Sequence, residues 1–325
     1  MTKPSGFVRN TYGWLRDVAL PMAYGRIEPT FRSARIPRAA EEYLQPSNPR
    51  LSYLVSRYDA FGSLDHSLWE RWSKRVDLEH FRGEGHYLAQ RAYGASRLRY
   101  VVTAAYVDAV DDWGLLYTLG EDSLFGAVTY HLPDGLIVSR DLLDSILEMV
   151  FLRNCLQLDR AQPVVGMDVG AGYGRFAHRF AQTFPSGFVY CLDAVPVSTF
   201  LCEFYISFRG FASRAPVVPL FEVPTLTAGR VDFAMNVHSW SECPLQAVTF
   251  WLGVLADLRV RHVFVVPHEA RFLTMERDGS RVSFLPEILR HGYRATVEGN
   301  KYGHHRLVQK CGIYDAPYIM FEMKA

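Results

Sequence analysis

The sequence predicts an α/β protein: a doubly wound, Rossmann-like seven-stranded sheet preceded by a mainly helical N-terminal part. Three observations lead there. After Pro163, short apolar runs alternate with helical stretches, the rhythm of strands joined by crossover helices. The first of these runs opens VVGMDVGAGYGRFAHRF (Val164–Phe180), a glycine-rich turn between a strand and a helix. Between Leu51 and Phe151, by contrast, apolar residues recur at three- and four-residue spacing, as amphipathic helices require.

Length and composition bound the reading. A chain of 325 residues holds one large domain or two of ordinary size, and 49% hydrophobic with 21% charged residues is a globular balance. A formal net charge of +1, with no basic block, gives no electrostatic case for nucleic acid. The five cysteines (Cys155, Cys191, Cys202, Cys243, Cys311) are odd in number and lack a C-x-x-C pair, which fits reduced thiols and a cytoplasmic protein. VALPMAYG is too short and too proline-broken for a signal peptide, and no run of eighteen apolar residues predicts a membrane span. The expected divisions are an N-terminal arm over 1–47, a mainly helical part over 48–160, and a cofactor-binding domain over 161–325. The middle part would recognise substrate or build a homo-oligomer.

The elements follow in order. Pro4, Pro21, Pro29, Pro37 and Pro46 punctuate the arm, leaving room for one short helix. YLAQRAYGASRLRYVVTAAYVDAV, from Tyr87, reads as an amphipathic helix, and DSLFGAVTYHLPDGLIVSRD as a loop or small hairpin. Ser139 is the expected N-cap of a helix through LLDSILEMVFLRN, with Asp141 favouring its dipole from the first turn. Then come strands in VVGMDV, FVYCLDA, VVPLFEV, VDFAMNV and HVFVVPHE, with helices in GRFAHRFAQTF, VSTFLCEFYISFRG and PLQAVTFWLGVLADL, and a closing strand pair in YRATVEG and YIMFEMK.

The glycine loop carries the first chemical signal. A dinucleotide fingerprint is G-x-G-x-x-G, but here its third position holds Arg175. Glycine falls instead at Gly170, Gly172 and Gly174, with Asp168 two residues ahead. That form is what S-adenosylmethionine-dependent methyltransferases carry, so S-adenosyl-L-methionine is the expected cofactor. Asp193 ends the second strand about 20 residues on, where a carboxylate accepts from both ribose hydroxyls; capping the next helix is its weaker use, because Pro196 intervenes. Asn236, near the end of the fourth strand, can accept from the ammonium of the methionine moiety or close a strand-end turn, and the sequence fits both.

Methyl transfer to a hydroxyl needs a base or a metal, because the hydroxyl is a poor nucleophile. NVHSWSECP sets His238 at the tip of the fourth strand, where an imidazole serves as a base or as a hydrogen-bonded structural residue. VVPHEA brings His268 and Glu269 to the same edge one strand away. They could hold substrate hydroxyls, orient His238, or join Glu242 around a divalent metal such as magnesium, although no fixed ligand spacing appears. His304 and His305 read as a solvated turn.

FRGEGHYLAQ (Phe81–Gln90), VSRDLLDSILE (Val138–Glu148), DVGAGYGRFAHRF and NVHSWSECPLQAVTFWL (Asn236–Leu252) together resemble the sugar O-methyltransferase family of bacterial secondary metabolism. The resemblance covers most of the chain after residue 50; where the family usually has methionine after the glutamate, this chain has Cys243. It implies a methyltransferase variant of the doubly wound fold and a sugar or glycoside hydroxyl as acceptor. It also gives the helical part a role: Arg82, Glu84, Tyr87 and Gln90 form either a face for sugar hydroxyls or a solvated structural face. An O-methyltransferase acting on a phenol or carboxylate would share these features, as would an inert binding module.

Overall fold

The computed structural model describes residues 34–64, 68–88, 97–132, 135–227 and 229–324. Gln90 and most of the expected arm lie outside the described residues.

The N-terminal part begins with α1 (Arg38–Tyr43) and α2 (Pro49–Tyr58). The side chain of Asn48 caps α2 by accepting from the Arg50 N–H at 2.8 Å, and Pro49 supplies a fixed φ in the first turn. At the far end, the Tyr58 hydroxyl pairs with Thr199 Oγ1 at 2.8 Å and accepts from the Leu220 N–H at 2.9 Å. Those bonds pin α2 to the domain that carries the glycine loop. Then follow α3 (Trp69–Trp72), α4 (Arg97–Val110), α5 (Leu115–Thr118) and an antiparallel hairpin, β1 (Thr129–His131) with β2 (Ile137–Ser139). Of the helix expected from Tyr87, the described residues show Arg97–Val110; residues 89–96 lie outside the described residues. Gly85, at φ +79°, instead turns the chain at an isolated bridge between Glu84 and Leu88. Ser139 caps α6 (Arg140–Leu156), its Oγ accepting from the Leu142 N–H at 3.1 Å.

After α6 the chain is doubly wound: β3 (Val165–Val169), α7 (Arg175–Thr183), β4 (Phe188–Leu192), α8 (Pro196–Phe208), β5 (Val217–Val218), β6 (Phe233–Val237), α9 (Leu245–Asp257), β7 (His262–Val266), α10 (Leu285–Arg290), β8 (Tyr293–Asn300), α11 (Arg306–Cys311) and β9 (Pro317–Met323). The seven-stranded sheet has the order β5-β4-β3-β6-β7-β9-β8, parallel from β5 to β7, with β9 antiparallel to both its neighbours. This is the methyltransferase variant of the doubly wound fold. The third strand is short because Pro219 follows it without a ladder N–H and a 3-10 turn over Leu220–Thr225 takes over. His304 and His305 are exposed, with His304 in a turn as expected and His305 leading into α11.

Successive strand residues feed opposite apolar layers. Met167, Ala234 and Val265 pack with Leu54, Phe200 and Leu252 on one face; Val189, Met235 and Phe264 pack with Ala104, Ile146 and Phe180 on the other. Both layers therefore include helices from before residue 160. No helix among the described residues is long and apolar enough to cross a membrane.

A buried ion network joins the two parts. Arg82, 2% exposed, donates to Glu121 at 2.8 Å, Asp122 at 3.1 Å and Asp141 at 3.1 Å. Arg179 of α7 also reaches Glu121, Arg209 reaches Asp122, and the Tyr173 hydroxyl donates to Asp141. Arg82 is thus buried within this network and presents no open face.

Candidate active site

The doubly wound order reverses at β3 and β6, and a ligand crevice is expected beyond their carboxyl ends. A cavity of about 320 Å³ lies there, within the range of small-molecule sites. Its floor is the glycine loop, at Gly170 and Gly172. Gly170 has φ +81°, and a Cβ there would sit 2.0 Å from Ser239 Oγ, so the loop passes against the β6 tip only without a side chain. Gly174 does not line the cavity: its φ is +86° and a Cβ would meet Cys202 Sγ at 2.9 Å, so it serves close packing of α7 on α8.

Two carboxylates face this space. Asp193 accepts from the Gly172 N–H at 2.9 Å and the Val195 N–H at 2.8 Å, yet burial still pushes its carboxyl up to about 7. Asp168 is 4% exposed, its carboxylate makes no hydrogen bond to a described residue, and burial pushes it up to about 7 as well. A buried carboxylate in that state is stabilised by hydrogen-bond donors or a cation brought by a ligand.

Arg140 and Arg175 line the same cavity, and neither was singled out as a site residue by sequence. Arg175 is bidentate to Glu148 at 2.8 and 2.9 Å; Arg140 donates to Asp144 at 3.0 Å and stacks over Tyr314 at 5.5 Å. Trp69, Trp72 and Tyr87 form an aromatic wall opposite, with Tyr87 paired to Ser198 Oγ at 3.1 Å. Asn236 is 1% exposed and takes no part in the lining. Its amide donates to Val169 O at 2.7 Å and Ser239 Oγ at 2.6 Å and accepts from the Trp240 N–H at 3.1 Å, which is the strand-end turn.

At the tips of β6 and β7 the structure brings His238 and His268 together. Their rings stack with centroids 4.6 Å apart and planes 7° apart, and both line the cavity. His238 takes φ +66°, an unusual backbone for a residue with a Cβ. Its Nδ1 is buried with no partner among the described residues. Burial first, then His268 and Arg140, hold its ring well below the ordinary imidazole range. His268 Nε2 lies 3.0 Å from Glu242 Oε1, while Trp69 Nε1 donates to Glu242 Oε2 at 2.8 Å.

Glu269 does not join them. It is held by Arg271 at 2.5 Å and Arg281 at 2.7 Å and is not part of the lining. With Glu269 turned away and Glu242 bonded to His268, the described residues offer no group of three metal-capable side chains. The expected grouping of Glu242, His268 and Glu269 around a divalent ion therefore does not fit. Glu84 is exposed, and Arg82 is committed to its ion network, so of the expected sugar face only Tyr87 reaches the cavity among the described residues.

No protein-family model matches the chain, and no curated protein matches it. Solved structures do. One is assigned as a sarcosine dimethylglycine methyltransferase from Galdieria sulphuraria: 14% identity, 68% of this chain and 98% of that one covered, TM-score 0.41. Another is a magnesium protoporphyrin IX methyltransferase from Synechocystis PCC 6803 with bound S-adenosylmethionine: 11% identity, 69% and 97% covered, TM-score 0.40. A third is an S-adenosylmethionine-dependent methyltransferase from Aquifex aeolicus: 16% identity, 67% and 97% covered, TM-score 0.38. The fold assignment itself stands on the strand order and the antiparallel β9.

Proposed function

We propose that the chain is an S-adenosylmethionine-dependent O-methyltransferase acting on a hydroxyl of a sugar or glycoside. The observation that carries this reading is the pair of buried carboxylates, Asp168 and Asp193, on either side of a G-x-G-x-G loop at the switch point. Asp193 would accept from the ribose hydroxyls and Asp168 would pair with the ammonium, while Arg140 supplies a cation for the methionine carboxylate. S-adenosylmethionine, when bound, supplies an electrophilic methyl group. The protein's own contribution is to orient an acceptor hydroxyl, exclude bulk water and take up the proton, and the histidine pair stands ready for that last task. The aromatic wall of Trp69, Trp72 and Tyr87 suits the apolar face of a sugar ring, with Glu242 and His268 as polar partners. The resemblance in the Asn236–Leu252 stretch points the same way.

The direct test is formation of S-adenosylhomocysteine with panels of glycosides, phenols and carboxylates. Turnover confined to glycosides is expected; turnover confined to phenols or carboxylates would replace the acceptor class. Binding of S-adenosylmethionine without turnover on any acceptor would indicate a binding module. Because the metal grouping does not fit, activity should persist in excess EDTA. Loss to EDTA with recovery on added magnesium would reinstate a metal.

The pH dependence of cofactor affinity is a second expectation. Ligand contacts favour the ionised carboxylates, whose free-protein values are raised to about 7, so affinity should rise as pH increases through that value. It should fall again above about 8, as the ligand's α-amino group loses its charge. Titration calorimetry from pH 5.5 to 9 should therefore give a bell centred between the two. A flat profile below pH 7 would remove both carboxylates from the site.

A further inference from the structure

We propose that the proton acceptor in this reaction is His268, oriented by Glu242, with His238 supporting it as a stacked partner. The inference rests on reading the cavity as a methyl-transfer site and says which of the two rings does the work.

The geometry separates them. An ionised carboxylate only accepts hydrogen bonds, so Glu242 Oε1 fixes the His268 proton on Nε2. That leaves Nδ1 of His268 as the basic nitrogen, with no partner among the described residues. Trp69 holds the other carboxylate oxygen, which fixes Glu242 in turn. The His268 backbone is anchored on both sides: its N–H donates to Ser241 Oγ at 3.2 Å and its carbonyl accepts from the Tyr314 hydroxyl at 2.8 Å. Base, orienting carboxylate and second donor thus come from the segment that follows β7, the β6–α9 connection and α3.

Charge decides between the rings. Among the described residues, the groups that face His268 include the Glu242 carboxylate, the neutral ring of His238, the Tyr314 phenol, and Arg140 stacked beyond Tyr314. Glu269, next in sequence, is neutralised by Arg271 and Arg281. A proton arriving on His268 meets a carboxylate at 3.0 Å and, with a 39% exposed side chain, a route to solvent. A proton on His238 would first lose its hydration to burial and would then face His268, Arg140 and Arg175 with Asp144 in its favour, so that ring is held neutral. A neutral ring stacked at 4.6 Å can then stabilise the cation formed beside it.

The step balances simply. The acceptor oxygen forms a bond to the methyl carbon while that carbon's bond to sulfur breaks, sulfur keeping the electron pair. The hydroxyl proton passes to Nδ1 of His268 and then to solvent.

The test compares His268→Ala, His268→Gln, His238→Ala and Glu242→Gln, with Glu269→Gln as a control outside the cavity. Turnover is measured alongside S-adenosylmethionine binding by calorimetry. His268→Ala should lower kcat by roughly 10²- to 10⁴-fold while the cofactor dissociation constant stays within about threefold. Added imidazole should restore activity to His268→Ala in proportion to its concentration, but not to His238→Ala. Glu242→Gln should lower kcat more than it changes KM, and imidazole should not rescue it, because the native ring still fills the site. Turnover of His268→Ala within about threefold of wild type would overturn the assignment, as would rescue of His238→Ala instead. If both His268 variants lose cofactor binding, His268 shapes the pocket and is not the acceptor. Failure of the wild type to bind the cofactor or turn over would sink the underlying function instead, a distinguishable result.

Discussion

Arg82→Met should destabilise the folded chain by about 3–5 kcal/mol at neutral pH, the range for removing one member of a buried ion network. The side chain is 1% exposed and touches three carboxylates, two of them almost fully buried. Methionine fills similar space but leaves those charges under-compensated. Burial alone would raise Glu121, yet Arg82 and Arg179 hold it below its ordinary value; Asp122, despite burial, is brought down to about 2 by Arg209 and Arg82. Groups with lowered native values add stability above their unfolded values, near 4, and lose it as pH falls through the native ones. The difference between wild type and variant, measured as a denaturant midpoint, should therefore be full at pH 7 and shrink from pH 4 towards pH 2. A midpoint unchanged at pH 7 would show that Arg82 is not the hub of this network.

The second large effect concerns binding. Asp193→Ala should weaken S-adenosylmethionine by about tenfold or more, because it removes a charge-assisted acceptor worth about 1.5–3 kcal/mol. The same change should cost the free protein little at pH 7.5. Burial of the Asp193 carboxylate outweighs its two backbone bonds, as its upward shift to about 7 shows, so its ionised form is held at a cost without ligand. Affinity lost with an unchanged melting temperature is the expected signature. Affinity unchanged would place the ribose elsewhere, and a collapsed melting temperature would make Asp193 a loop-building residue.

The parts of this protein legible in its sequence are those written locally. Strand and helix alternation after Pro163, the Ser139 cap and the glycine loop each depend on a few neighbouring residues. What was not legible depends on distant partners. Arg82 reads as a polar residue on a helix face until Glu121, Asp122 and Asp141 are seen around it. Glu269 sits beside His268 in sequence, but Arg271 and Arg281 turn its carboxylate away from the cavity. Asn236 could have met a ligand, and its amide is instead used by Val169, Ser239 and Trp240. Trp69 and Glu242 are 173 positions apart, and no local pattern announces a bond between them. Arg175 did leave a trace, as the residue that breaks the dinucleotide fingerprint.

The measurement that bears most directly on this account is parallel titration calorimetry of the full chain with S-adenosylmethionine and with NADH at pH 7.5. The glycine loop, Asp168 and Asp193 predict one S-adenosylmethionine per chain, an affinity reduced by Asp193→Ala, and no comparable heat with NADH. Tighter binding of NADH, or no binding of S-adenosylmethionine by a folded protein, would contradict it.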